Sequence, residues 1–231
     1  MNSIVIENNS DDLIEICDDK IINHYNEILK SKPNLVITVL DRGIFSANVV
    51  EKNKKSLTIK LYKALKSRNY NEIELLVGAC RPQTAKKVIN YALTLGVGKI
   101  TFVKAQLSEK SYLSSKIYEK ESLVSEFKKA LGQSKIYFQT PKIELFDYIP
   151  YERYDENYKK SLLSLNGKLS FNKTYSSSKL VLAFGPERGW TEDEETKFLS
   201  YDFEPVKISN SILRLEQAVS HSLGQIELFN L

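Results

Sequence analysis

The sequence predicts an α/β protein in which a small antiparallel β module precedes a parallel sheet covered by helices. Three observations predict it. β-rich runs broken by turn residues crowd between residues 35 and 61, strand and helix patterns alternate from about residue 72, and Leu180 to Phe184 is continuously apolar. Such alternation implies βαβ units, and an unbroken apolar run suits a strand buried on both faces. With 231 residues, 42% hydrophobic and 27% charged, the chain can bury one such core and a small appended module.

The β-rich runs cover 35–40, 44–50 and 56–61, separated by Asp41-Arg42-Gly43 and Asn53-Lys54-Lys55. Turns this short join antiparallel neighbours, so the region reads as a meander or barrel. A lysine-rich stretch over 61–74 follows. Leu75 to Ala79 is then a short strand, and Gln83 to Leu95 sets Ala85, Val88, Ile89, Ala92 and Leu95 at helical spacing before Gly96 stops it. Lys99 to Val103 is the next strand, Glu119 to Leu131 an amphipathic helix, and Ile143 to Phe146 and Leu162 to Leu165 two further strands. Thr191 with Glu194 forms a capping-box pattern, so a helix begins just after Trp190. Leu215, Val219, Ser222, Ile226 and Phe229 trace one face of a last helix over about 213–229.

Composition narrows the chemistry. Cys17, Cys80, His24 and His221 are too few for a metal cage or a disulfide framework, and no metal is expected. Both cysteines read as small buried thiols in a reducing compartment. No apolar run approaches the roughly 18 residues of a membrane span, and the start MNSIVIENNSDD is acidic without a signal-peptide core. A cytoplasmic protein without a membrane partner is expected. The net charge of +4 fits a phosphate-rich partner, yet the lysines are scattered and charge alone does not decide for RNA.

Two segments carry chemistry. In Leu180 to Glu194 an apolar strand ends in Gly-Pro-Glu-Arg-Gly and runs into the capped helix. Open α/β sheets bind ligands at the carboxyl ends of their strands, and glycine lets backbone amides come close. A plain tight turn is the alternative. In Ile208-Ser-Asn-Ser-Ile-Leu-Arg-Leu-Glu-Gln-Ala218 a polar loop feeds the last helix; Ile212 and Leu213 can sandwich a purine while loop N–H and C=O groups read its edge. Arg214 and Glu216 in its first turn read either as site residues or as solvated surface charges.

Together, GPERGW and SILRLEQA resemble the signature of the ribosomal RNA small subunit methyltransferase E family, uridine N3-methylating members of the SPOUT superfamily. Arg81-Pro82 with KKVINYALTLGVGKI and then Ser108 to Tyr112 is similar to the family's helix ending in Glu-Leu-Gly-Val and its following basic-serine loop. Leu131-Gly-Gln-Ser134 and Pro141 resemble its Glu-Gln and Val-Pro positions. The resemblance covers most of residues 75–225, and strand pattern and position extend it to an N-terminal PUA-like barrel. It implies a PUA-like, RNA-binding β-barrel over 1–70 and a SPOUT α/β trefoil-knot methyltransferase domain over 71–231. It also implies a homodimer through the knot, and S-adenosyl-L-methionine held largely by backbone groups.

Carried over by position, the cofactor loops comprise Leu165 and Asn166; Phe184, Gly185, Pro186, Glu187 and Gly189; and Ile208, Ser209, Ser211, Ile212 and Leu213. The sequence departs from the family pattern with Asn166-Gly167 for His-Pro, Ser209-Asn210-Ser211 for Gly-Pro-Arg, Gln217 for threonine after Glu216, and Gly132 for glutamate before Gln133.

The implied reaction is methylation of uridine N3 in 16S ribosomal RNA of the small subunit, at the family's U1498 site. N3 must lose its proton before it attacks a sulfonium methyl in line, so alignment and stabilisation of an anionic base are the main tasks. Arg214 is expected to stabilise the base, and Glu187 or Glu216 to orient Arg214 or accept the proton. His221 has either a packing or partner-helix role or a place in the site. N3 lies on the Watson–Crick edge, so the target must be unpaired. Lys52, Lys54, Lys55, Lys60 and Lys63 are expected to grip phosphates, helped by Arg81, Lys86 and Lys110; solvated faces are the alternative. Two other readings stay open, a SPOUT ribose 2′-O-methyltransferase acting on tRNA or rRNA and a catalytically silent RNA-binding ribosome-assembly protein.

Overall fold

The structure, a computed structural model, describes residues 3–167, 171 and 179–228. The chain forms two compact units, one of residues 1–69 with 127–140 and one of residues 70–126 with 141–231.

The first unit is built on a five-stranded sheet in the order β1-β3-β4-β5-β2, with β1 Ile4–Ile6, β2 Leu13–Ile16, β3 Asn34–Val39, β4 Gly43–Lys52 and β5 Leu57–Ala64. The three strands expected from the sequence are its antiparallel centre. Two edge strands of three and four residues complete it, β1 parallel to β3 and β2 antiparallel to β5. The inward positions are mostly β-branched, among them Ile4, Ile14, Ile37 and Ile59, the residues that pack best on a pleated surface. Helix α1, Asp19–Asn23, is capped by the Asp18 carboxylate, which accepts from the Lys20 amide at 2.8 Å, and continues into a π-helical turn at His24–Ile28. Asp41 takes φ +58° in the tight turn before β4, and its carboxylate accepts from the Thr140 amide at 2.6 Å and hydroxyl at 2.7 Å. That pair ties the turn to the segment returning after residue 127.

The second unit holds a six-stranded parallel sheet in the order β11-β9-β10-β6-β7-β8. Its strands are β6 Asn71–Gly78, β7 Val97–Val103, β8 Lys142–Phe146, β9 Tyr158–Leu163, β10 Lys179–Phe184 and β11 Glu204–Val206. Strands β6 and β10 lie side by side in the middle, with Leu75 to Val77 and Leu180 to Phe184 almost wholly buried. Helix α2, Pro82–Thr94, starts with proline at its first position and buries Ala85, Val88, Ile89, Ala92 and Leu93. Helix α3, Lys120–Ser134, passes its last turns to the first unit. Helix α4, Glu192–Ser200, has the expected capping box at Thr191 and Glu194, and the second Glu194 oxygen accepts from the Gln106 amide at 2.8 Å. Helix α5, Leu215–Leu228, packs on α2.

Over Leu76, Val181 and Ala183 lies an aromatic layer in which Phe198 touches Tyr151, Trp190 and Phe203 with ring centroids 4.8, 4.9 and 4.9 Å away. Glu74 is buried on β6. Its carboxylate accepts from Thr101 Oγ1 at 2.7 Å and Tyr154 Oη at 2.9 Å and pairs with Lys99 at 2.7 Å, so the charge is satisfied.

Three expectations are corrected. Strand β9 runs over Tyr158–Leu163 rather than 162–165, because Tyr158-Lys159-Lys160 looks like a loop until Lys160 is seen donating to the Tyr201 carbonyl at 2.9 Å. Cys80 is buried but Cys17 is exposed. The last helix begins at Leu215, with Arg214 outside it; Phe229 lies outside the described residues. Among the described residues no helix is long and apolar enough to cross a membrane, and no group of three metal-ligating side chains occurs.

Phe198 fills the centre of the aromatic layer with no exposed surface. Phe198→Ala is expected to cost about 3–5 kcal/mol in urea denaturation through the cavity it leaves. Thr191→Ala, which removes only the helix cap, should cost about 1 kcal/mol in the same assay.

Candidate active site

Because the sheet is parallel, the segments after β6, β9, β10 and β11 all leave at its carboxyl edge. They surround an open cavity of about 1380 Å³, larger than the roughly 300–1,000 Å³ typical of one small-molecule site.

The segment after β10 is fixed by close packing. A Cβ on Gly78, the last residue of β6, would lie 2.4 Å from Pro186 Cδ, so only glycine lets the two strand ends come together. The Gly189 amide donates to the Pro186 carbonyl at 2.8 Å, and Gly189 takes φ +76°, a conformation that disfavours side chains. This turn presents Glu187 to α2, and the Arg81 amide donates to Glu187 Oε1 at 2.8 Å. The carboxylate thus sits on the positive end of that helix. The Arg81 guanidinium is hydrogen-bonded to Tyr112 and lies near Glu187, which hold it more firmly protonated than usual.

The segment after β11 is held by side chains. Gln225 donates to the Ile208 carbonyl at 2.9 Å, and the Ser211 amide donates to Ser209 Oγ at 3.0 Å. Ser209 therefore organises its own turn. Gln217 Oε1 accepts from the Arg214 amide at 3.1 Å, fixing Arg214 as the residue before α5. Ser164 Oγ accepts from the Asn166 amide at 3.2 Å, and the Ser164 amide donates to the Val206 carbonyl at 3.1 Å. Leu165 and Ile212 line the cavity with 57% and 82% of their surface exposed. Large apolar side chains left open in a concave site suit a flat apolar partner.

Glu216 is buried in the first turn of α5, with its Oε1 3.1 Å from Lys87 Nζ. Burial pushes its carboxyl up. Its own backbone amide, the Lys87 ammonium and the Arg214 charge outweigh that, so it is held below the usual range. Burial and the charges of Glu187 and Glu216 push the nearby Cys80 thiol up, which keeps it protonated.

The structure brings together Leu165, Asn166, Phe184, Gly185, Pro186, Glu187 and Gly189 with Ile208, Ser209, Ser211, Ile212 and Leu213 around this cavity. Arg214, Glu216 and Arg81 line it as well. Lys86 does not; it pairs with Glu126 at 3.1 Å. Lys110 and His221 are exposed away from the lining. Lys52, Lys54, Lys55, Lys60 and Lys63 belong to the first unit, where Lys52 donates to Ser31 Oγ at 3.2 Å and Lys54 and Lys55 sit at the exposed β4–β5 turn. Arg188, within the Gly-Pro-Glu-Arg-Gly loop, lines the cavity too, and the sequence reading missed Thr84, Lys87, Tyr112 and Lys207. The spacing of Arg81 and Thr84, one turn apart at the start of α2, could have found Thr84.

An RNA methyltransferase domain family matches residues 67–227. Ribosomal RNA small subunit methyltransferase E 1 of Borreliella burgdorferi is 31% identical over 204 residues, covering 84% of each chain. A second protein of that organism, ribosomal RNA small subunit methyltransferase E 2, is 24% identical across 97% of this chain and 96% of its own. The crystal structure of a ribosomal RNA small subunit methyltransferase E from Neisseria gonorrhoeae bound to S-adenosyl methionine matches with a TM-score of 0.74 at 20% identity, covering 99% of this chain and 97% of that one. This likeness shows the fold.

The Glu216 carboxyl titrates below its ordinary 4.5 in the folded chain. The stabilisation it gives is therefore complete above the unfolded value and lost as pH falls through the folded one. Glu216→Gln should lower the urea midpoint at neutral pH, and the gap to the parent chain should close as the pH drops below 4.5.

Proposed function

This chain belongs to the RNA methyltransferase domain family and, within it, to the ribosomal RNA small subunit methyltransferases E; it is an S-adenosylmethionine-dependent methyltransferase of ribosomal RNA, and we propose that it methylates uridine N3 in 16S RNA. The observation that carries this reading is the convergence of the Gly-Pro-Glu-Arg-Gly and Ile-Leu-Arg segments on one cavity, with Arg214 at the start of α5.

S-adenosylmethionine supplies an electrophilic methyl on a sulfonium. Leu165, Ile212 and Leu213 offer it apolar surface, and the backbone around Phe184, Gly185, Pro186, Ile208, Ser209 and Ser211 offers hydrogen-bonding groups, a donor set that suits an adenine with apolar faces and polar edges. Arg214, exposed and lining the cavity, balances the negative charge that forms when N3 loses its proton. Glu216, ionised and tied to Lys87, is a poor proton acceptor and acts by orienting charge. Glu187 has one oxygen engaged by the Arg81 amide and is exposed, so it is the carboxylate assigned to take the proton.

In the strand order β11-β9-β10-β6 the chain goes from β10 to β11 across β9, an order that suits a trefoil knot in the segment leading to α5, an exception to the usual ban on threaded connections. Residues 71–231 would form the knotted SPOUT domain, paired with a second copy through the knot. Residues 1–70 would form a PUA-like RNA-binding barrel; the exposed lysines of the β4–β5 turn support that role. Such an enzyme meets its substrate, the small ribosomal subunit, in the cytoplasm.

The test is to treat small-subunit RNA or subunits from cells lacking this protein with purified chain and labelled cofactor, then map nucleosides by mass spectrometry. 3-Methyluridine is expected; a 2′-O-methylated nucleoside, or no product, overturns the proposal. Arg214→Ala should lower kcat by about 10²–10³, the size seen when one charge-stabilising donor is lost. Lys54→Glu with Lys55→Glu should raise KM for RNA and reduce the salt slope of binding by about 0.7–0.9 per lost phosphate contact. An unchanged slope removes the barrel from RNA capture.

A further inference from the structure

Lys87 lines the cavity from α2, and nothing in its neighbourhood of the sequence distinguishes it from Lys86. Their fates differ. Lys86 pairs with Glu126, whereas Lys87 reaches across to α5 and meets Glu216 at 3.1 Å. The pair is uneven: the Glu216 side chain is 11% exposed and the Lys87 side chain 52%. A carboxylate this well buried must keep a partner, because an unpaired buried charge is costly.

Two cations are within its electrostatic reach, Lys87 and Arg214. The third titratable group facing it is the Cys80 thiol, from the segment after β6, which is neutral. Arg214 stands just outside α5, where its side chain is exposed, and among the described residues no carboxylate lies within ion-pair distance of its guanidinium. Glu216 is thus paired from the neighbouring helix and, among the described residues, forms no ion pair with the arginine beside it.

We infer that Lys87 is a positioning residue: by holding Glu216, it leaves the Arg214 guanidinium uncommitted for the reacting base. The inference rests on the role given to Arg214 above. Without Lys87 the Glu216 carboxylate turns to the remaining cation, and Arg214 is drawn from the cavity into an internal pair. That capture needs the carboxylate charged. The damage is therefore greatest where Glu216 is fully ionised and eases only as falling pH neutralises it.

The experiment compares the parent chain with Lys87→Met, Lys87→Arg, Glu216→Gln and the Lys87→Met/Glu216→Gln pair, each as the full chain. Methyl transfer to small-subunit RNA is followed across pH. In parallel, labelling of Arg214 by phenylglyoxal is read by peptide mass spectrometry without cofactor. Lys87→Met should lower kcat about tenfold or more, equivalent to about 1.4 kcal/mol of transition-state stabilisation, while KM for S-adenosylmethionine moves less than about twofold. Its deficit should shrink toward acid pH, Lys87→Arg should restore most of the rate, and the double variant should be no slower than Glu216→Gln alone. Arg214 labelling should fall several-fold in Lys87→Met and recover in the double variant. Unchanged kcat and labelling in Lys87→Met, or additive losses in the double variant, overturn the inference. Lys87→Gln gives the same decision if Lys87→Met does not fold. A parent chain that transfers no methyl group defeats the proposed function, and the labelling arm still decides the role of Lys87.

Discussion

The contact between Gly78 and Pro186 sets the geometry on which the site depends. Two neighbouring parallel strands, β6 and β10, end side by side, and the segments leaving them occupy the same space unless one end has no side chain. Glycine at 78 removes that obstacle. Pro186 then packs on the strand end, the turn closes through the Gly189 amide, and Glu187 arrives within 2.8 Å of the Arg81 amide. A single close approach so joins the start of α2 to the loop after β10. Any larger residue at 78 would push apart two walls of the cavity at once.

Much of this fold is legible because its central elements have strong periods. Strand β10 is an unbroken apolar run, α2 repeats its apolar residues at helical spacing, and α4 announces itself through Thr191 and Glu194. The elements that escaped are those whose stability comes from neighbours. Strands β1, β2 and β11 have only three or four residues, too few to show a period. Strand β9 hides behind lysines, and half-buried Lys160 is held there by donating to the Tyr201 carbonyl, with Asp202 4.0 Å away. The return of residues 127–140 to the first unit is equally invisible, since Asp41 and Thr140 are 99 positions apart.

The same division holds in the cavity. Residues that shape backbone, such as Gly185, Pro186 and Gly189, are legible because glycine and proline have few roles and restricted conformations. Residues that act through charge are not, because lysines 86 and 87 read alike until the structure gives each a different carboxylate. Sequence also left Glu187 and Glu216 interchangeable. They differ in what they touch: a backbone amide at a helix start for Glu187, and a side-chain ammonium in a buried setting for Glu216.

That difference decides the electrical character of the site. Arg81, Lys87, Arg188, Lys207 and Arg214 face Glu187, Glu195 and Glu216 around one cavity, five cations against three carboxylates. Glu216 is tied to Lys87, and Glu187 holds the start of α2 with one oxygen, so among the described residues neither carboxylate forms an ion pair with Arg214. The residual field is positive, which favours a deprotonated base and the phosphates on either side of it. The same field opposes a sulfonium, so a cationic methyl donor has to be held by apolar surface and backbone groups rather than by an ion pair. The exposed side chains of Leu165 and Ile212, set among backbone groups of three loops, are the parts of this cavity fitted to that task.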